Sequence, residues 1–181
     1  METVAPAVWS QGEICRRADM IFVTVGNHFQ EFERLLKTVD EIAPRICHEF
    51  LIQKGYSKYV PRNTKYFDFV PMRAAMQYIR RSDLVISHAG IGTIILCKEN
   101  GRPLIIFPRR KKYGEHGTDH QMEIARVLQE RGDKNVHIVY EENQLEQKII
   151  EVMGKKEIVQ VENEGRKNLI RTIKEFIEAS R

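Results

Sequence analysis

The sequence is poor in cysteine, in tryptophan and in charge of one sign. Three cysteines, Cys15, Cys47 and Cys97, stand among 181 residues. An odd number without CxxC spacing argues against a disulfide framework and a cysteine-based zinc site, and fits a reducing cytosol. Lys and Arg total 29 against 25 Asp and Glu, a net charge of only +4. A histone-like or tail-type nucleic-acid binder carries a larger and more segregated excess. No apolar run reaches the roughly 18 residues of a membrane span. The amino terminus carries Arg16 and Arg17 but no apolar stretch of a secretory signal. The Walker pattern GxxxxGK[ST] is missing. So is a full GxGxxG, because Ile95 occupies the last glycine position of the run from Gly90. A P-loop NTPase and a hydride-transfer enzyme are therefore disfavoured.

What is present is an ordinary globular composition, 42% hydrophobic and 30% charged, with eleven Gly and six Pro. The length falls within the usual single-domain range of about 100–200 residues. Residues 1–19 show no period and read as a loose N-terminal extension; a short packed arm using Val8 and Trp9 is the alternative. Residues 20–181 read as one domain without internal repeats.

From Met20 the signals alternate between strand and helix. Met20–Val25 is a continuous apolar run ended by Gly26, the pattern of a strand buried on both faces. Phe32, Leu35, Leu36, Val39 and Ile42 then share one helical face, closed by Pro44. Strands are predicted at Ile46–Gln53 and Tyr66–Val70, then a helix opened by Pro71 and ending near Arg81. Leu84–Ser87 is a strand, His88–Gly92 a tight loop and Thr93–Asn100 a short helix. A buried strand at Pro103–Pro108 leads to a polar, basic loop over Arg109–Gly117. A helix at Thr118–Gly132, a strand at Val136–Tyr140 and a helix at Glu142–Met153 follow. A last amphipathic helix is expected at 162–180, with Leu169, Ile170, Ile173, Phe176 and Ile177 on one side. Such alternation predicts a single Rossmann-like α/β domain with a doubly wound parallel sheet.

Ligands of such sheets bind beyond the carboxyl ends of the strands, which directs attention to three loops. In His88-Ala89-Gly90-Ile91-Gly92-Thr93 the glycines permit positive φ and close backbone approach, and the following helix points free N–H groups outward. That is a ready place for a diphosphate, although Gly-x-Gly alone also serves a plain turn. The loop from Arg109 and Arg110 to Gln121 concentrates four consecutive cations, Glu115, His116, Asp119 and His120. Charge runs commonly form a solvated face, and Thr118-x-x-Gln121 also matches a helix capping box. A metal site from His116, Asp119 and His120 fits no zinc spacing, and none is expected. In the third loop Asn27 is a candidate N-cap for the helix containing Phe32, with His28 in its first turn.

Val23-Thr24-Val25-Gly26-Asn27-His28, His88-Ala89-Gly90-x-Gly92-Thr93, Gly101-Arg102-Pro103 and Gly114-Glu115-His116-x-x-Asp119-His120-Gln121 occur in that order. Together they resemble the nucleotide-sugar-binding half of family 28 glycosyltransferases. The resemblance is to the PssE-type subunit of split bacterial exopolysaccharide and capsule glycosyltransferases. It extends to the soluble subunit that adds the second N-acetylglucosamine to dolichol-linked oligosaccharide in eukaryotes, and more distantly to MurG-type enzymes of peptidoglycan synthesis.

The resemblance implies the carboxyl-terminal half of a GT-B enzyme. The acceptor half would lie on a membrane-associated, PssD-like partner that handles a lipid-linked saccharide acceptor. This subunit would then be cytoplasmic, held at the inner face of the membrane by that partner. The substrate would be a UDP-sugar, with no cofactor or metal. His88, Ala89, Gly90, Gly92 and Thr93 would meet the diphosphate; Gly26, Asn27 and His28 would lie near the donor and the interdomain cleft. Asp119, His120 and Gln121 would meet the sugar hydroxyls. Leu96 replaces the ribose-binding Glu of the eukaryotic and MurG-type relatives, and Glu99 matches the acid of the exopolysaccharide subtype.

Leaving UDP would be stabilised by N–H groups at Gly92 and Thr93, with His88 and Arg109 or Arg110 as cationic help. The general base of the inverting attack is expected on the partner, with Glu115 and His116 as in-chain candidates. Two rival classes are a non-catalytic nucleotide-binding regulatory module and a basic RNA-binding protein using Arg109–Lys112. The latter lacks an accompanying aromatic-rich stretch.

Overall fold

The apolar run after residue 19 becomes the middle of a sheet. β1, Met20–Thr24, pairs in parallel with β2, Glu49–Gln53, on one side and with β4, Leu84–Ser87, on the other. β3, Lys65–Phe67, lies outside β2, while β5, Leu104–Ile106, and β6, Val136–Ile138, continue beyond β4. All pairs are parallel, and the order of the six strands is β3-β2-β1-β4-β5-β6. This is a computed structural model, and it describes residues 20–154. The expected extension at 1–19 and the expected helix at 162–180 lie outside the described residues.

Among the described residues five α-helices cover the sheet: α1 (Glu33–Ile42), α2 (Met72–Arg81), α3 (Ile91–Glu99), α4 (His120–Arg131) and α5 (Leu145–Gly154). Alternate residues of β1 feed two cores. Ile21 and Val23 join Leu35, Leu36 and Val39 of α1 and Ile149 of α5. Phe22 joins Ile79 of α2, Ile94 of α3 and Leu128 of α4 on the other face. Period-two alternation in an all-apolar strand thus builds both layers of a doubly wound domain. Among the described residues, no helix is long and apolar enough to cross a membrane. Cys97 is a buried free thiol.

Several boundaries differ from expectation. The β3 strand is shorter than Tyr66–Val70, and no helix joins β2 to β3. Instead the Asp40 carboxylate ties down the irregular connection, accepting from the Tyr59 hydroxyl at 2.8 Å and from the backbone N–H groups of Arg62 and Asn63 at 2.9 and 2.8 Å. Pro44 does not end α1 abruptly but sits in the 3₁₀ turn Ala43–Arg45 that prolongs it.

The strand order places the topological switch point between β1 and β4, because the chain builds outward to β3 and then returns beside β1. The loops that close β1 and β4 flank the crevice where such sheets bind ligands.

Candidate functional site

At the switch point an imidazole stands between two glycines. A Cβ built on Gly26 would lie 2.5 Å from Cε1 of His88, and one on Gly90 would lie 2.3 Å from Nε2. Gly26 has φ +72 and needs to be glycine on that count as well. Gly90 has φ −84, and neither it nor Gly92 takes a positive φ, which corrects that part of the expectation for these glycines. At Gly90 the requirement is room for the ring.

His88 is buried, with Nδ1 3.2 Å from the Ser87 hydroxyl. Burial, and then the charge of Arg109, push its pKa down to about 3. The ring is neutral near pH 7, so its expected cationic help to a diphosphate is corrected. Ala89 is buried in the core beside it.

The N-terminus of α3 opens onto the crevice. Its first intrahelical bond runs from the Ile94 N–H to the Gly90 carbonyl at 3.1 Å. The N–H groups of Ile91, Gly92 and Thr93 are left without intrahelical partners, at the positive end of the helix dipole. A Cβ at Gly92 would meet nothing within 4 Å, so the first turn of α3 borders open space at Gly92. That is the geometry of an anion site. Glu99 is not brought there. It ends α3, about 10 Å along the axis from Gly92 by helix rise.

Arg109 follows β5 and is completely buried. One guanidinium nitrogen donates to the carbonyls of Gln30, Glu31 and Glu115 at 2.8, 3.0 and 3.0 Å, and another to the Val25 carbonyl at 3.1 Å. It lies over the Phe32 ring, 4.7 Å from the centroid. Burial lowers its pKa to about 10, leaving it charged. Arg109 therefore staples the loop after β1 to the loop after β5, and contact with a diphosphate is corrected to a supporting role. Arg110 also turns away, donating to the Tyr140 carbonyl and to Glu141 Oε1 at 2.9 Å. Only Lys111 and Lys112 of the four cations are exposed, which removes most of the surface an RNA-binding reading would use.

Glu115 is clamped. Its carboxylate receives Arg34 Nε at 2.7 Å, an Arg34 terminal nitrogen at 2.9 Å and the Arg110 N–H at 2.9 Å. A buried carboxylate with those donors is taken up in holding a loop, so its candidacy as base is corrected. Arg34 itself, whose guanidinium also lies 4.2 Å above the Phe107 centroid, was not singled out from sequence. Between Glu33 and Leu35 in an amphipathic helix it resembles any surface cation.

The histidines gather at the mouth. α1 begins at Glu33, so His28 precedes the helix rather than occupying its first turn. Asn27 is not its cap: its side-chain oxygen accepts from Gln53 Nε2 at 3.1 Å, while Gln53 Oε1 accepts from the Thr24 hydroxyl at 3.1 Å. His28 stacks on exposed Phe29 and lies 5.3 Å from His116, centroid to centroid. Its Nδ1 accepts the Gln30 N–H at 3.2 Å, which leaves the neutral ring its proton on Nε2. Burial, Arg109 and His116 lower its pKa, in that order. The Nδ1 of His116 lies 3.1 Å from the Thr118 carbonyl.

α4 starts at His120, not Thr118, and the proposed Thr118–Gln121 capping box does not form. The Gln121 oxygen instead accepts the Arg109 N–H at 3.0 Å, and Asp119 Oδ1 accepts the Lys111 N–H at 3.0 Å. His120 Nδ1 approaches Glu123 at 3.5 Å. Asp119, His120 and Gln121 thus sit together where α4 begins, at the carboxyl edge, with part of their capacity committed to the β5 loop.

The glycosyltransferase family 28 C-terminal domain model matches residues 20–178. The human UDP-N-acetylglucosamine transferase subunit ALG13 is 30% identical over 131 residues, covering 66% of this chain and 11% of that protein. This chain therefore spans about a tenth of that relative's length. Among solved structures, the glycotransferase of kitacinnamycin superposes with a TM-score of 0.60 at 15% identity, over 84% of this chain and 39% of that one. MurG of Acinetobacter baumannii gives a TM-score of 0.54 at 17% identity, over 78% of this chain and 42% of that one. At these identities the structures speak for the fold alone.

Proposed function

The chain belongs to the glycosyltransferase family 28 C-terminal domain family, and from that premise we propose that it is the donor-binding subunit of a two-protein inverting glycosyltransferase. It takes a UDP-sugar and, with a membrane-associated acceptor-domain partner, delivers the sugar to a lipid-linked acceptor. The observation that carries the reading is the N-terminus of α3 at the switch point, with the loop after β1 brought against it through His88. The similarity to a subunit named for UDP-N-acetylglucosamine transfer supports UDP as the nucleotide. The Gly114-Glu115-His116 element supports an exopolysaccharide or capsule setting.

In this reading the Ile91, Gly92 and Thr93 N–H groups take the diphosphate, and the dipole of α3 offsets the charge that grows as UDP leaves. Asp119, His120 and Gln121 are the groups at hand for sugar hydroxyls. Glu115 is taken up by Arg34 and the Arg110 N–H, which is consistent with a base on the partner. His116 remains the in-chain alternative. Transfer uses no bound metal.

Calorimetric titration with UDP, UDP-N-acetylglucosamine, UDP-glucose, UDP-galactose and UDP-glucuronate, beside a single-stranded RNA, tests this. One UDP-sugar should bind more tightly than UDP, and RNA should not compete. Equal and weak binding of every nucleotide would overturn the reading.

A further inference from the structure

Three glycines and one imidazole meet in a row along the carboxyl edge. Gly55 follows β2, Gly26 follows β1 and His88 follows β4, and these three strands are neighbours in the sheet. A Cβ on Gly55 would stand 2.9 Å from Val25 Cγ2 and 3.2 Å from the Gly26 carbonyl oxygen. The next two contacts, on either side of His88, are closer still at 2.5 and 2.3 Å. Carbon and nitrogen in non-bonded contact prefer separations of about 3.5–4.0 Å, so neither glycine could carry a side chain while the ring stays where it is.

Neither side of this sandwich is free to yield. The Gly90 N–H donates to the His88 carbonyl at 2.8 Å, which ties the α3 side to the ring's own backbone. On the β1 side the Gly26 N–H donates to the Thr24 hydroxyl at 3.1 Å, and the Val25 carbonyl is held by Arg109. The ring itself is buried and bonded to Ser87. It therefore fills a gap between two fixed loops.

We propose that His88 is a positioning residue whose imidazole acts as a spacer: wedged between Gly26 and Gly90, it sets the distance from the β1 loop to the N-terminus of α3. It thereby fixes where the Ile91, Gly92 and Thr93 N–H groups stand. This last step rests on the UDP-sugar reading, whereas the wedge itself does not. Side-chain size at 88 and at 90 must then trade against each other. Gly90 is the cleaner position to probe, because its φ of −84 and ψ of 120 suit any residue, so only the ring objects to a methyl group.

The test is a double-mutant cycle on Gly90→Ala and His88→Ala, read by thermal melting and by UDP affinity. Gly90→Ala should lower the melting temperature and weaken UDP about tenfold, a coupling size usual for residues in contact. The double variant should recover at least the affinity and melting temperature of His88→Ala alone. If Gly90→Ala does not fold, folding of the double variant is itself the rescue. A third variant separates size from charge. With His88→Gln the pH profile of UDP affinity between pH 5.5 and 8 should keep its wild-type shape.

Additive effects, a Gly90→Ala protein indistinguishable from wild type, or loss of an acid limb in His88→Gln would each overturn the spacer. Failure of the unmutated chain to bind UDP strikes the proposed function instead. The melting arm of the cycle then decides the wedge by itself.

Discussion

The side-chain oxygen of Gln121 accepts the backbone N–H of Arg109 at 3.0 Å, across the gap between the start of α4 and the end of β5. A glutamine placed to complete a helix cap instead satisfies a buried backbone donor and anchors the residue that staples two site loops. Replacing Gln121 by Ala leaves that N–H unpaired and should cost about 1–3 kcal/mol, the penalty for a buried unsatisfied donor. Urea denaturation measures it directly. A loss within error of zero would mean that water replaces the contact.

The buried pair of Arg34 and Glu115 yields a second expectation. Removing one partner strands the other charge among buried groups, at a cost of about 3–5 kcal/mol. Arg34→Met and Glu115→Gln should both destabilise strongly. Arg34→Lys should recover little, because an ammonium cannot reproduce the two-pronged contact at 2.7 and 2.9 Å. Full stability of Arg34→Lys would show that the charge alone matters.

The pH dependence of stability carries a defined sign. His88 has its folded pKa depressed from 6.5 to about 3 by burial and by Arg109. The unfolded chain binds a proton there before the folded chain does. Stability from the neutral ring is therefore complete above about pH 6.5 and is lost as pH falls toward 3. The slope should approach about 1.4 kcal/mol per pH unit for one such group. Chemical denaturation from pH 7.5 to 4.5 should show this slope, and His88→Gln should flatten it. His28, lowered in the same direction, contributes with the same sign.

The sheet could be read from the sequence because its signals are local. The apolar runs Met20–Val25 and Leu84–Ser87 declare strands buried on both faces, and Gly26 marks the loop that follows the first. What escaped was decided by contacts distant in sequence. Arg109 and Arg110 look like half of a solvated basic run, yet each is consumed mainly by carbonyls or acids 30 or more residues away, such as Val25 and Tyr140. Gly90 looks like a turn glycine, but its constraint is a ring two residues back folded against its α-carbon. Arg34 carried no signal, since its partner lies 81 residues further on.

The diphosphate assignment is tested most sharply at Gly92. A Cβ there meets nothing, so a side chain is sterically free in the apo protein. Gly92→Val should keep the fold and a melting temperature near that of the parent, because glycine inside a helix is already unfavourable. The branched side chain would nevertheless project into the space before the free N–H groups and abolish UDP binding. Retained affinity in a folded Gly92→Val protein would take the α3 N-terminus out of the site.

Transfer should require a second protein. The described edge offers N–H donors, a neutral buried His88 and a clamped Glu115, but nothing that encloses a reacting bond from the far side. On the proposed reading, water exclusion and an oriented acceptor hydroxyl come from the partner, and orientation alone is worth several kcal/mol of barrier. The chain aligns with 39% and 42% of the lengths of two glycosyltransferase structures that share its fold, leaving the remainder of those folds unmatched. Purified chain should therefore bind UDP-sugar in the presence of EDTA without transferring it. Radiolabel from UDP-sugar should enter the lipid fraction only when membranes carrying the acceptor-domain partner are added. Transfer to the lipid acceptor at full rate by this chain alone would overturn the split-enzyme proposal, and a strict need for a divalent ion would count against metal-free departure of UDP.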